Sequence, residues 1–144
     1  MATGLSVDVA ASAGKVWAIW VDTAHWPDWN PTVKKVSLNG PLAAGATGSM
    51  TTDGGRTHDI RIASVDPGKS FRLDAKPIPM TTFHFDCEVQ GAPVGCTIRQ
   101  SVSFGGLGAI LGPLMGRRVA AGFPAILAGL KAKAEGPTGG SQQA

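Results

Sequence analysis

From Val33 to Phe104 the hydrophobic period is two, held through six short segments that are separated by turns rich in Gly, Pro, Asn and Asp. Apolar side chains two residues apart share one face of a strand. Val33 to Leu38 and Gly48 to Thr52 are strand-like. In Thr57 to Val65, His58, Ile60 and Ile62 share one face, with Asp59 and Arg61 on the other. Ser70 to Ala75 groups Phe71, Leu73 and Ala75. Thr81 to Val89 groups Phe83, Phe85, Cys87 and Val89. Cys96 to Phe104 groups Cys96, Ile98, Gln100, Val102 and Phe104. The turns have a mechanism: in Asp66-Pro67-Gly68 the proline presets φ and the glycine permits a positive φ. Leu5 to Ala10 alternates in the same way, so about seven strands are predicted. Strands joined by hairpin-length turns form an antiparallel meander. With one apolar face, that sheet needs a covering layer.

Two helical regions can supply it. Ser12 is a suitable N-cap, and Val16, Ile19 and Trp20 follow at helical spacing. Asp22 and Thr23 offer a second cap before Ala24 to Trp26, and Pro27 and Pro31 end the region. Residues 12–30 are therefore expected to form two short helices with a bend. Residues 110–135 predict a long helix, with Pro113 in its first turn and Val119, Phe123, Ile126, Leu127 and Leu130 in one stripe. Gly136-Pro137 stops it. Gly116, Gly122 and Gly129 cost this helix about 0.5–1 kcal/mol each and Pro124 about 3 kcal/mol. It forms only when packed on the sheet. Pro124 is expected to kink it by removing the bond to the Ala120 carbonyl, and the glycines to leave unfilled space against the sheet. Residues 1–136 make one α+β domain, and 137–144 are expected to be a disordered tail.

Composition excludes other classes. Charged residues are 16% of the chain and hydrophobic residues 43%, the reverse of a disordered sequence. No apolar run approaches the ~18 residues of a membrane span. The net charge of +3 is local: residues 1–110 hold nine residues of each sign, while Arg117, Arg118, Lys131 and Lys133 face only Glu135 beyond them. No basic stripe with aromatic platforms runs along the surface, so no nucleic-acid partner is expected. Cys87 and Cys96 are too few for a disulfide framework, and Met1 to Val9 lack a basic region followed by an apolar run. A cytoplasmic setting is expected. Gly106, Gly108 and Gly112 imitate a dinucleotide fingerprint, but Leu111 stands where the third glycine belongs and no βαβ unit follows. No cofactor is expected. The loop from Gly105 to Gly112 is read as mobile, beside a cavity entrance.

Four stretches, in order, carry a resemblance: Val7 to Trp20 (V-D-V-A-A-S-A-G-K-V-W-A-I-W), His25 to Pro31 (H-W-P-D-W-N-P), Ser64 to Leu73 (S-V-D-P-G-K-S-F-R-L) and Phe123 to Glu135 (F-P-A-I-L-A-G-L-K-A-K-A-E). Over residues 4–135 the chain resembles the SRPBCC superfamily, which includes START-like lipid carriers and polyketide cyclases, and within it the small bacterial polyketide cyclase/dehydrase-like proteins. The resemblance implies a helix-grip fold, an incomplete antiparallel barrel wrapped around a long C-terminal helix with a hydrophobic cavity between them. Aromatase/cyclase members use polar cavity groups, often Arg and Tyr; this chain has no Tyr.

On this fold the expected activity is binding of a small hydrophobic or lipid-like ligand. The expected lining is Met50, His58, Ile60, Phe71, Met80, Phe83, Phe85, Gln100, Met115, Val119 and Phe123, apolar surface with a few orienting polar groups. One alternative is a cyclase or dehydratase using His58, Gln100 and Arg118. A second is a membrane-surface or partner-binding protein using Leu107 to Lys133. Arg117 and Arg118 are read as reaching water, with contact to an anionic ligand group as the other reading. Trp26 and Trp29 are read as packing the helix pair on the sheet edge, with gating of the pocket as the other. His84 and Asp86 are read as a surface pair and not as a metal site, for want of a third ligand. Cys87 and Cys96 are inward neighbours on one hairpin, and their contact is left open. So is the choice between monomer and homodimer.

Overall fold

The computed structural model describes residues 3–76, 80–106, 109–110 and 112–136. The expected tail at 137–144, and part of the Gly105–Gly112 loop, lie outside them. Strand β1 (Thr3–Val9) is followed by helix α1 (Ala13–Val21), a 3-10 turn (Thr23–Asp28) and six strands. These are β2 (Val33–Leu38), β3 (Thr47–Thr52), β4 (Thr57–Asp66), β5 (Ser70–Ala75), β6 (Thr81–Gly91) and β7 (Cys96–Gly106). The seven form one sheet in the order β1-β7-β6-β5-β4-β3-β2, with every pair antiparallel. Two helices close the chain, α2 (Gly112–Ala120) and α3 (Phe123–Glu135). This is the helix-grip fold, with its C-terminal helix bent into two segments.

Local chemistry explains the elements. Ser12 caps α1, its hydroxyl accepting the Lys15 N–H at 3.1 Å. The alternating segments bury one face: Ile60 and Ile62 on β4, Phe71, Leu73 and Ala75 on β5, Ile98 and Val102 on β7. The outer face holds polar pairs across strands. Arg72 donates two hydrogen bonds to Asp86 on β6, at 2.8 and 3.0 Å, and His84 meets Asp74 on β5 at 2.6 Å. His84 and Asp86 thus take different partners instead of pairing with each other.

The helical cover is divided between the two ends of the sheet. Helix α2 packs on β1 and β7, and α3 on β1, β7 and α1, while the 3-10 turn packs on β2. The bend falls at Ala121 and Gly122. Pro124 stands in the first turn of α3, where its missing N–H costs nothing, so it begins a helix and does not kink one. The glycines also act otherwise than expected. A Cβ on Gly129 would collide with the Trp29 carbonyl, and one on Gly116 would press on Thr3 Oγ1 at 2.7 Å. They let the helices approach their neighbours closely and leave no gap there.

Candidate functional site

A cavity of about 250 Å³ opens between the inner sheet face and the segment from Trp20 to Val33. Strands β3 to β7 contribute Met50, Thr52, His58, Phe71, Leu73, Ala75, Phe83, Phe85, Cys87 and Gln100. Trp20, Trp26, Trp29, Asn30, Thr32 and Val33 form the opposite wall, and Ile126 of α3 completes it.

Register places the strand residues in rows. Gln100 lies opposite Cys87, and Cys87 opposite Phe71. The next inward row along the strands is Val102, Phe85 and Leu73, and the next Phe104, Phe83 and Ala75, with Ile60 continuing it on β4. His58, opposite Met50, lies one further step along. Gln100 and His58 therefore sit three rows apart, about 20 Å of strand, with apolar side chains between them.

The opposite wall is stiff. Phe71 centres an aromatic cluster with Trp17, Trp20 and Trp26, at ring separations of 6.3, 5.4 and 6.0 Å. Trp26 donates its indole N–H to the Trp20 carbonyl at 2.9 Å. Asn30 Oδ1 accepts from Thr32 N at 3.0 Å and from Thr32 Oγ1 at 2.7 Å, closing the turn into β2.

Among the described residues, the lining holds no Lys, Arg, Asp or Glu. Burial lowers the His58 pKa below its ordinary 6.5, against a weaker pull upward from the Asp59 charge. Its imidazole is therefore mainly neutral at pH 7. Burial also pushes the Cys87 thiol far above its ordinary range, so it is no nucleophile. Cys96 lies opposite Gly91, four residues along β6 from Cys87, or about 13 Å, and both cysteines are free.

Six of the eleven residues expected at the cavity are there: Met50, His58, Phe71, Phe83, Phe85 and Gln100. The other five stand elsewhere. Ile60 and Phe123 are sealed in the core, Met80 is 75% exposed, and Met115 and Val119 lie half-buried on α2. For Met115 and Val119 the cause is the placement of α2 on β1 and β7, toward one edge of the sheet. Arg117 and Arg118 are exposed on α2 beside exposed Leu114, so Arg118 does not join His58 and Gln100. Trp26 and Trp29 are both buried, beside β2, and both line the cavity. Asn30 and Thr32 were missed, as were Trp20, Val33, Thr52, Leu73, Ala75, Cys87 and Ile126, while Trp26 and Trp29 were considered at the cavity only as gates. The signal for the first two was the Asn-Pro-Thr turn that leads from the tryptophans into β2.

A family model described as polyketide cyclase / dehydrase and lipid transport matches residues 4–135. The chain belongs to this family. Its fold is shared by solved structures of low sequence identity. A START superfamily protein from Mycobacterium smegmatis has a TM-score of 0.73 at 14% identity, over 93% of this chain and 97% of that one. Truncated norcoclaurine synthase from Thalictrum flavum has a TM-score of 0.70 at 17% identity, over 92% of each chain. The di-domain ARO/CYC StfQ from the steffimycin biosynthetic pathway has a TM-score of 0.73 at 16% identity, over 93% of this chain and 50% of that one. No curated protein matches significantly in sequence. Membership of the SRPBCC superfamily follows. Among the described residues no helix is long and apolar enough to cross a membrane, and no group of three His, Cys, Asp or Glu is placed to hold a metal.

Proposed function

We propose that this member of the family binds a small hydrophobic ligand in the cavity between the sheet and the Trp20–Val33 wall. The observation that carries the reading is the cavity itself, about 250 Å³ bounded mainly by aromatic and aliphatic side chains, without one Lys, Arg, Asp or Glu among the described residues. Burial of apolar ligand surface supplies the affinity, and the few polar groups orient the ligand. Native mass spectrometry of the purified protein tests it. A small molecule that stays bound in gentle ionisation and leaves on organic extraction is the expected result. Failure of both that and hydrophobic-probe binding refutes the reading.

A second reading, acid–base chemistry on the bound ligand, is favoured by one observation: a mainly neutral His58 at the cavity with no protein hydrogen bond to its ring among the described residues. Such an imidazole can take a proton from a carbon beside a carbonyl and return one to a departing hydroxyl. Arg118 has no part in it. If this chemistry operates, H58Q keeps ligand binding and loses turnover; unchanged turnover removes His58 from any catalytic role.

A further inference from the structure

Period-two alternation leaves one polar residue among the inward side chains of β7, which run Cys96, Ile98, Gln100, Val102 and Phe104. The sheet closes around it on every side. Ile98 and Val102 are 0% and 1% exposed, Cys87 beside it on β6 is buried, and Leu5 opposite on β1 packs against the core. Gln100 is nonetheless half-buried and lines the cavity, so the surface it keeps faces that space. Among the described residues no protein group hydrogen-bonds its side-chain amide, and the one occluded side-chain nitrogen or oxygen without a partner is Trp29 Nε1. The Gln100 amide is therefore both unpartnered and open to the cavity.

The other polar groups of the lining are placed differently. Asn30 Oδ1 accepts from Thr32 N and Thr32 Oγ1, and Thr52 Oγ1 donates to the Arg56 carbonyl at 3.5 Å. His58 lies about 20 Å of strand away, toward the β3–β4 turn. Gln100 stands instead in one row with Cys87 and Phe71, where Trp20 and Trp26 meet the Phe71 ring. An amide in such surroundings costs free energy when a ligand displaces its water and returns no hydrogen bond. Its Nε2 donates and its Oε1 accepts, side by side in one plane. With no Lys, Arg, Asp or Glu in the described lining, an ionised ligand would enter without a counter-charge.

We propose that the ligand is an uncharged, largely apolar molecule bearing a carboxamide or lactam, whose carbonyl accepts from Gln100 Nε2 and whose N–H donates to Gln100 Oε1. Gln100 is then the residue that orients the ligand and selects it over a hydrocarbon of the same shape. The inference rests on the ligand-binding reading above. Its discrimination has a definite origin: an amide replaces both bonds that Gln100 makes to solvent, a ketone replaces one, and a hydrocarbon displaces the solvent and replaces neither.

Probes of one shape test it by calorimetry at pH 7.5: 2-naphthamide, the ketone 2-acetylnaphthalene, the hydrocarbon 2-isopropenylnaphthalene, and 2-naphthoate. From amide to ketone to hydrocarbon, affinity is expected to fall by about three- to tenfold at each step, one hydrogen bond being lost each time. The carboxylate is expected to bind at least about tenfold more weakly than the amide. Q100L is expected to abolish the preference for the amide over the hydrocarbon while the hydrocarbon still binds. The Gln100 side-chain amide protons of the unaltered protein, assigned through their own Cγ protons, are expected to move downfield with the amide and the ketone and not with the hydrocarbon. That measurement stands even if Q100L does not fold. Equal binding of the neutral probes, a preference that survives in Q100L, unmoved Gln100 amide protons, or a carboxylate that binds as well as the amide overturns the proposal and leaves the cavity reading in place. If none of the probes binds, the cavity reading itself falls, and this inference with it.

Discussion

His58 shows how one half-buried side chain carries a pH dependence. Its folded pKa lies below 6.5 because burial disfavours the imidazolium. As pH falls, the unfolded chain takes up that proton first. The stability linked to His58 is thus complete above pH 6.5 and is lost as pH drops through the lower folded value. Between pH 7.5 and 5, H58Q is expected to lose less stability than the unaltered protein in urea titrations. Parallel curves would rule out the linkage. The difference between the two proteins is the quantity to read, because His25, held upward by Asp22, titrates with the opposite sign. Apolar ligands should also bind more weakly below pH 6.5, since they deepen the burial of His58. Trp26 makes a second residue-scale prediction. W26F strands the Trp20 carbonyl and is expected to cost about 1–3 kcal/mol by denaturant midpoint. The pattern of side chains did place His58, Phe83 and Gln100 on the inner face, because period-two alternation fixes a face. It did not separate Trp26 from Trp29, because the acceptor for Trp26 is a backbone carbonyl six residues earlier, which no side-chain pattern records.

The C-terminal helix was legible as an apolar stripe. Phe123, Ile126, Leu127 and Leu130 are buried as the helical period requires, and Val119 packs at the margin. Its break was misplaced because Pro124 was weighed as an interior residue. In the first turn of α3 it has no hydrogen bond to lose. The glycines were misread for a related reason: propensity measures what a glycine costs its own helix, not what it lets come near. At Gly129 the Trp29 carbonyl occupies the space of a side chain, so G129A must push α3 away from the cavity wall. A loss of about 1–3 kcal/mol is expected, the range of core overpacking, together with weakened probe binding because Trp29 moves. Gly122 is the control. Its φ of −83° suits any residue and its added Cβ would find only ordinary contacts, Thr32 Cγ2 at 3.5 Å and Val119 O at 3.6 Å. G122A should change stability by less than about 1 kcal/mol. If the two variants unfold at the same denaturant concentration, the close approach at Gly129 has no energetic weight.

At the scale of the molecule, the cavity exists because the cover is discontinuous. Helices α2 and α3 sit over the β1–β7 end, the 3-10 turn sits over β2, α1 reaches β6, and the space left between the middle strands and the Trp20–Val33 wall is the cavity. Local sequence patterns give faces and periods, but not which end of a sheet a distant helix reaches. Met115 and Val119 were placed at the cavity for that reason, and Thr52 and Ala75 were overlooked. Ala75 now offers the sharpest test of the whole arrangement. It is 2% exposed, lies on an inward row beside Phe83, and borders the cavity with the smallest side chain in the lining. A75L directs three more carbons into the open volume. Each buried carbon stabilises by about 0.8 kcal/mol where it fits without strain, so the variant should fold with unchanged or raised stability. Ligand affinity should fall by at least about tenfold, because ligand and leucine compete for one space. Saturation shows this without a known natural ligand. A neutral naphthyl ketone at a hundred times its Kd should raise the stability of the unaltered protein by about 2.7 kcal/mol and that of A75L by no more than about 1.4 kcal/mol. An equal rise in both proteins would mean that the probe binds elsewhere on the surface, and that the gap in the cover is not the binding site.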